Sequence, residues 1–501
     1  MSASRLAGRA GWLALRADTL PIALIAAAAM LLYVPFFNAF AVPYPDFFQY
    51  CEDALAYLQG TVPAASKRLP LFPLVIGGLS RILPGPNPIM LAAQLLNLAL
   101  APVCLWLIYR ITRAFVGAAF GAAIVILCAV NQTFYYAAIE PNLEMTILAT
   151  VLLTVHLALR GSRWAYAAAF LASLTCHDIL PLIPLLVLQD TVLGRRPWQR
   201  SLALGAWASA GFVAWTTFNL WHTTLLRHPY IAELLARDGE VLAFLKGSLR
   251  VVADFLPAPL FRFDLARLTI GLLQLGLLGG GIILCVRRHR TPAAFLAGFL
   301  IAYTIGHVIF PAYLPRYTTP ILWLMYLMMG IALEGLVSRL PVQRATRSGA
   351  AALLLCAMAA SGITSSVRFM QSHYVLTNRS AFRQAGEWYR AAATPGDKLV
   401  TSLWRVVGYY SGRPEAVVYS GRLEASSLEA LVEELRAKGV TYVVWDSHYG
   451  HDASYDATRH KAHLLTWLKE RSPQHLQLVH RIPAGREEVV VYRFLPEGLP
   501  S

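Results

Sequence analysis

Six acidic residues draw attention by position. Asp46, Glu52, Asp53, Glu140, Glu144 and Asp178 lie beside or at the ends of apolar runs, where a charge is costly and is usually kept for function. Basic and aromatic groups accompany them. Lys67 and Arg68 precede the stretch LPLFP, Arg316 and Tyr317 sit in YLPRYTTP, and His177 adjoins Asp178. Glu140 and Glu144 are one helical turn apart with Pro141 between them. Proline suits a helix start, which makes Glu144 the first-turn acid and leaves Glu140 in the loop. A carboxylate beside cations at a membrane surface suits a reaction on a lipid-anchored phosphate. The carboxylate takes a proton from an acceptor hydroxyl, and Arg and Lys neutralise the departing phosphate.

Each group also suits a plainer task. Asp46 fits the N-cap of a helix, and Glu52 and Asp53 fit a solvated helix face. One of the two glutamates fits a helix N-terminus, where the dipole favours a carboxylate. His177 and Asp178 fit a hydrogen-bonded pair packing two short helices, and Arg316 fits an interfacial anchor. In the tail, DSHYGHD (Asp446, His448, His451, Asp452) has ligand types but no helix to align them, and reads as a solvated loop.

The elements that must hold these groups follow from composition. The 501-residue chain is 57% hydrophobic and 14% charged, where a soluble protein carries about a quarter charged residues. Residues 370–501 nevertheless hold 16 Lys/Arg and 14 Asp/Glu, an ordinary soluble balance. The composition shifts once, and divides a membrane domain, 1–370, from an extracytoplasmic domain, 371–501. A span needs about 20 apolar residues. Runs of that kind fall near 19–41, 89–109, 114–133, 137–159, 164–177, 179–194, 201–222, 268–286, 293–312, 318–337 and 348–367. They predict an all-α polytopic bundle of about 11 transmembrane helices, with 164–194 either one broken helix or two short ones. Long outer connections cover 42–88 and 223–267. In the first, Phe47, Tyr50, Ala54 and Leu58 have amphipathic helical spacing, and a short apolar helix follows; both suit the membrane interface.

Sixteen arginines cluster in short segments at alternate exits, around 5–16, 110–113, 160–163, 195–200, 287–290 and 339–347, with only Asp18, Asp190 and Glu334 near them. That is the positive-inside asymmetry. It makes the net charge of +15 a feature of topology and not a nucleic-acid surface. The N-terminus is then cytoplasmic, and an odd number of spans puts the tail domain outside, in the periplasm or extracellular space. The six cysteines, all in or beside apolar runs, form no metal spacing and no disulfide framework. In the tail, SAFRQAGEWYRAAA and SLEALVEELRAKG read as amphipathic helices, and KLVTS, TYVVWD and EEVVVYRF as strands, giving a small α/β domain.

The chain resembles membrane glycosyltransferases of the GT-C superfamily, of the protein O-mannosyltransferase and aminoarabinose-transferase type. The resemblance covers most of the chain. It rests on Asp46 with Tyr50 and Leu58 after the first span, on Arg68-Leu69-Pro70 with Pro73, on Asn142-Leu143-Glu144 opening an apolar helix, and on Arg316-Tyr317 with Pro320 opening another. Phe47 stands where many relatives carry a second acid, and Cys176-His177 where many carry an Arg. The resemblance implies a polyprenyl-phosphate-linked sugar donor, reacting on the outer face with inversion at the anomeric carbon. The acceptor would be an extracytoplasmic glycan, lipid or protein, in the plane of an inner-membrane bilayer. It makes Asp46 the general base or acceptor-binding carboxylate, Glu144 or Glu140 a second carboxylate, and Lys67, Arg68, Arg316 and Tyr317 contacts to the lipid phosphate. Tyr50, His177 and Asp178 would line the site, and a divalent cation, Mg or Mn, would be compatible with it.

Two other readings compete. A transporter or lipid-linked-sugar flippase would show repeated halves with broken helices in matching positions; a single broken segment appears, and no repeat. A non-catalytic assembly partner presenting the tail domain would not need Asp46 and Arg316 together.

Overall fold

The computed structural model describes residues 19–37, 42–63, 66, 68–85, 87–193, 195–222, 265–309, 315–339, 363–364, 367, 379–447, 461–484 and 487–497. Lys67, His448, His451, Asp452, nearly all of the run 348–367 and most of the connection 223–267 lie outside these residues. The chain forms two compact units. Unit 1 is Met1–Asn38 with Tyr50–Met370; unit 2 is Ala39–Gln49 with Gln371–Ser501. The short segment holding Asp46 thus groups with the tail.

Unit 1 is helical. Its described helices are α1 (Thr19–Tyr33), α2 (Pro45–Leu58, whose first residues belong to unit 2), α3 (Leu71–Ser80), α4 (Pro88–Thr112), α5 (Ala118–Val130) and α6 (Gln132–Ile139). There follow α7 (Glu144–Leu159), α8 (Trp164–Ser173), α9 (Leu182–Val192), α10 (Trp198–His222), α11 (Leu265–Ile309) and α12 (Thr319–Val337). Among the described residues two stretches are long and apolar enough to cross a membrane, Pro88–Thr112 and Arg316–Val337. The pair α5 and α6, bent by 61°, makes a third if counted as one span. Other apolar helices are shorter, so the eleven full spans read from the sequence are not established among the described residues. Leu31, Trp164, Leu188, Val192, Trp207 and Leu273 are nonetheless half-exposed or more. Apolar surface on that scale suits hydrocarbon and not water.

The stretch Leu265–Ile309, α11, is helical on both sides of Pro292, but its two parts run in opposite directions along α12. Gly281 comes so close to Met328 that a Cβ would collide with its carbonyl oxygen, and Leu284 lies against Gly335, whereas Tyr303 reaches Tyr317 just before α12 begins. The two parts correspond to the runs 268–286 and 293–312, and Arg287, Arg288 and Arg290 lie near the place where they join. The run 164–194 resolves into two short helices, α8 and α9, around a 3-10 turn at His177–Ile179.

The acids near the arginine clusters have structural partners. Asp190 pairs with Arg196 and accepts from the Tyr166 hydroxyl. Glu334 accepts from the Gly117 N–H at 2.9 Å, where α5 begins. A carboxylate there satisfies a donor that the helix itself leaves open.

Unit 2 is a five-stranded sheet with helices on both faces. Its elements are α13 (Arg379–Ala392), β1 (Lys398–Thr401), α14 (Trp404–Ser411), β2 (Val417–Tyr419), α15 (Leu428–Ala437), β3 (Val440–Asp446), α16 (Ala462–Arg471), β4 (Leu476–Ala484) and β5 (Glu487–Phe494). The strand order is β2-β1-β3-β5-β4. β1 runs parallel to β2 and β3, while β5 is antiparallel to β3 and β4. Side chains alternate across the pleat. Leu399, Val444, Val489 and Val491 enter one core with Phe382, Tyr389 and Val407. Val400, Val443 and Val490 enter the other with Leu431, Leu435 and Leu465. Val42 and Phe48 join the first core, which accounts for the grouping of residues 39–49 with this unit.

The turn from α13 into β1 shows how tightly the unit is built. Gly396 takes φ +100°, a conformation that favours glycine. The Asp397 carboxylate then accepts from the Thr394 N–H at 2.6 Å and the Thr394 hydroxyl at 2.7 Å. Burial works against the charge of Asp397. The Thr394 and Thr441 hydrogen bonds and the nearby Arg493 outweigh it and hold the carboxyl below the usual range.

Candidate active site

In unit 1 the polar groups gather where α7 and α12 begin. Asn131 opens α6, its side chain accepting from the Thr133 N–H at 2.8 Å. The helix ends at Ile139, and Glu140 follows as an extended C-cap. From α4, the Asn97 amide donates to the carbonyls of Glu140 at 2.6 Å and Asn142 at 2.7 Å. Those bonds fix the turn that delivers Glu144 as the first residue of α7. Glu140 is buried at this turn, on the capping side of the junction.

Arg316 arrives on a 3-10 turn, Pro315–Thr318, that leads into α12 with Pro320 in the first turn. Its Nε lies 3.4 Å from Glu144 Oε1, and the two side chains are only 7% and 5% exposed. Its guanidinium lies 5.5 Å from the Tyr317 ring centroid. The Tyr303 hydroxyl donates to the Tyr317 carbonyl at 2.8 Å. His307 Nδ1 faces the Tyr303 carbonyl at 3.1 Å and so carries a proton there, while its Nε2 lies 3.5 Å from Asp178. Cys176 donates to the same carboxylate at 3.4 Å. Glu144, Arg316, Tyr317 and Asp178 are thus brought together with Tyr303 and His307. His177, by contrast, sets its ring edge-on to Phe212, 5.6 Å between centroids.

A second polar group in unit 1 surrounds Arg68. Its N–H donates to Ser66 Oγ at 3.0 Å, its carbonyl accepts from Trp215 at 3.0 Å, and its guanidinium lies 4.7 Å over the Tyr50 ring. Ser66 donates in turn to Asp53 at 2.6 Å. Asp53 is buried, not part of a solvated face as its sequence suggested; it lies on the side of α2 that buries Tyr50 and Ala54, and Ser66 satisfies its charge. Glu52 is exposed.

In unit 2, Asp46 occupies the first turn of α2 behind Pro45. Its Oδ1 lies 4.0 Å from Nη1 of Arg405, with the side chains 29% and 25% exposed. Arg405 lies 4.9 Å over the Trp404 ring at the start of α14. Phe47 and Phe48 are buried, Phe48 against Tyr409 and Tyr410. Among the described residues no group of three or more His, Cys, Asp or Glu is placed to hold a metal ion.

Tyr303, His307, Asn97 and Arg405 were not singled out by sequence. Tyr303 and His307 sit one turn apart near the end of an apolar helix, and that pairing of polar rings in a hydrophobic run was the available signal.

No protein-family model matches the chain, and no curated protein matches it in sequence. In three dimensions it is similar to ArnT from Cupriavidus metallidurans, solved bound to undecaprenyl phosphate. That match has a TM-score of 0.57 at 15% identity, over 94% of this chain and 97% of that one. It is also similar to the archaeal oligosaccharyltransferase AglB from Archaeoglobus fulgidus, solved with an inhibitory peptide and a dolichol-phosphate: TM-score 0.58, 11% identity, 87% of this chain and 70% of that one. The same oligosaccharyltransferase in complex with Zn and sulfate matches with TM-score 0.55 at 12% identity, over 84% and 68%. The likeness is one of fold.

Proposed function

We propose that the protein is a multi-pass integral membrane glycosyltransferase that moves a sugar from a polyprenyl-phosphate donor to an extracytoplasmic acceptor. The observation that carries this reading is the shared fold, along nearly the whole chain, with a protein solved with undecaprenyl phosphate. The N-terminus is cytoplasmic and unit 2 periplasmic or extracellular, a topology supported by the arginine clusters.

In this reading an acceptor hydroxyl attacks the anomeric carbon of the donor. The new glycosidic bond forms as the bond from that carbon to phosphate oxygen breaks, with inversion, and polyprenyl phosphate leaves. Asp46 takes the hydroxyl proton; its partial exposure leaves its carboxylate within reach of a hydroxyl. Arg316, Tyr317, Arg68 and Lys67 meet the phosphate and stabilise its growing charge. Glu144 holds the Arg316 guanidinium in one place, and its buried pairing supports that role over a role as base. Glu140 is assigned to the turn that presents Glu144, with Tyr50 backing Arg68 and Asp178 backing His307. Among the described residues no three ligand-type side chains converge as a divalent cation would require.

The test supplies the purified protein in lipid nanodiscs with a panel of polyprenyl-phosphate sugars and follows release of polyprenyl phosphate. Consumption of at least one donor is expected, with the anomeric configuration of the product inverted. A panel left wholly intact by well-folded protein overturns the transferase reading, and retention of configuration overturns the single-displacement step.

A further inference from the structure

We propose that unit 2 carries a binding groove for an anionic sugar, and that its occupant is the acceptor glycan or glycolipid. The groove is a cavity of about 390 Å³ along β2, the edge strand of the sheet. That volume falls in the range of about 300–1,000 Å³ usual for small-molecule sites. Its chemistry is two-sided. Trp404 and Tyr419, with ring centroids 6.1 Å apart, provide aromatic surface on which the C–H face of a pyranose can lie. Lys398, Lys438 and Arg422 provide three cations against one lining acid, Glu415.

The three cations differ in readiness. Lys398 donates to the Lys438 carbonyl at 2.9 Å, and the Lys438 ammonium lies 3.4 Å from Glu434. Arg422 is exposed, and among the described residues its guanidinium lies 5.9 Å from the Trp404 ring centroid and pairs with no carboxylate. A guanidinium laid on an indole keeps its in-plane N–H donors for an anion, which it can grip with two parallel bonds. The ligand chemistry is therefore a sugar ring bearing a carboxylate or a phosphate.

The groove also connects to Asp46. Trp404 is shared: Arg422 lies over its ring from the groove, and Arg405, 4.9 Å from the same ring, lies 4.0 Å from the Asp46 carboxylate. A glycan anchored at Arg422 is thus held two side chains away from the proposed base. Naming the occupant as the acceptor rests on the glycosyl-transfer reading; binding of an anionic sugar does not.

The experiment titrates the full chain in nanodiscs calorimetrically with tri-galacturonate, glucose 6-phosphate and maltotriose. At least one anionic sugar is expected to bind tenfold or more tighter than maltotriose, and the tighter of the two identifies carboxylate or phosphate as the group recognised. Arg422→Gln, at an exposed position, should weaken that binding at least tenfold with the thermal unfolding unchanged, and Trp404→Ala should weaken it as well. Equal binding of maltotriose, no binding of either anionic sugar, or full affinity in Arg422→Gln overturns the proposal. Anionic-sugar binding without consumption of any polyprenyl-phosphate donor leaves the groove standing and removes the transferase reading. Donor consumption without anionic-sugar binding does the reverse.

Discussion

Among the candidate site residues each unit pairs an arginine with a carboxylate, and these two pairs are built differently. In unit 1, Glu144 and Arg316 meet at 3.4 Å and are almost wholly buried. In unit 2, Asp46 and Arg405 stand 4.0 Å apart and are about a quarter exposed. Burial makes the first pair costly to split, because either partner alone would be an uncompensated charge away from water. The second pair sits where water competes with it, so a substrate group can take the place of Arg405 at little cost. In the proposed reaction the fixed pair serves positioning and the open pair exchanges with substrate.

The largest expected effect breaks the buried pair. Glu144→Gln leaves Arg316 without its counter-charge and should cost about 3–5 kcal/mol of stability, read as a lower unfolding temperature in nanodiscs. A variant as stable as wild type would remove the contrast between the pairs. Next comes the cap of α15, where the Ser427 side chain accepts from the Ala430 N–H at 3.2 Å. Ser427→Ala should cost about 1 kcal/mol and act on unit 2 alone, seen as faster hydrogen exchange in α15 with α4 and α12 unchanged. Arg405→Gln should change stability by less than about 1 kcal/mol while altering the pH dependence of turnover, since it removes the cation beside Asp46. A shift in unfolding temperature as large as that of Glu144→Gln would make the open pair structural after all.

Acid should act unevenly on the two units. Asp397 has a depressed carboxyl in the folded chain, so the unfolded chain binds the proton more readily. Its contribution is present above the unfolded value of about 4 and is lost as pH falls through the lower, folded one. The protection of residues 394–401 from hydrogen exchange, taken relative to the intrinsic rate at each pH, should therefore fall below about pH 4 in the wild type. Asp397→Asn should show lower protection already at neutral pH and little further change on acidification. Identical pH profiles for the two proteins would contradict this.

What sequence could reach depended on the range of the forces involved. The helices at 380–393 and 427–439 and three of the tail's five strands were readable because periodicity is local, and all of these are present. Glu144 at the head of α7 was readable from Pro141 and the helix-start pattern. The two runs 268–286 and 293–312 were readable as separate segments, because three arginines and Pro292 mark the place where α11 doubles back. Asp53 was misread because its burial depends on Ser66, thirteen residues away and outside its helix. Arg405 and His307 could not be chosen from among the many arginines and histidines, because what distinguishes them is a carboxylate distant in the chain, Asp46 for one and Asp178 for the other.

In the proposed function Asp46 is the exchangeable carboxylate that takes the acceptor's proton. The most direct measurement compares turnover and thermal unfolding of wild type and Asp46→Asn in the same nanodisc preparation, with a donor the wild type consumes. Turnover should fall by about 10²–10⁴-fold with the unfolding temperature nearly unchanged. Equal donor consumption by the two proteins would contradict the claim.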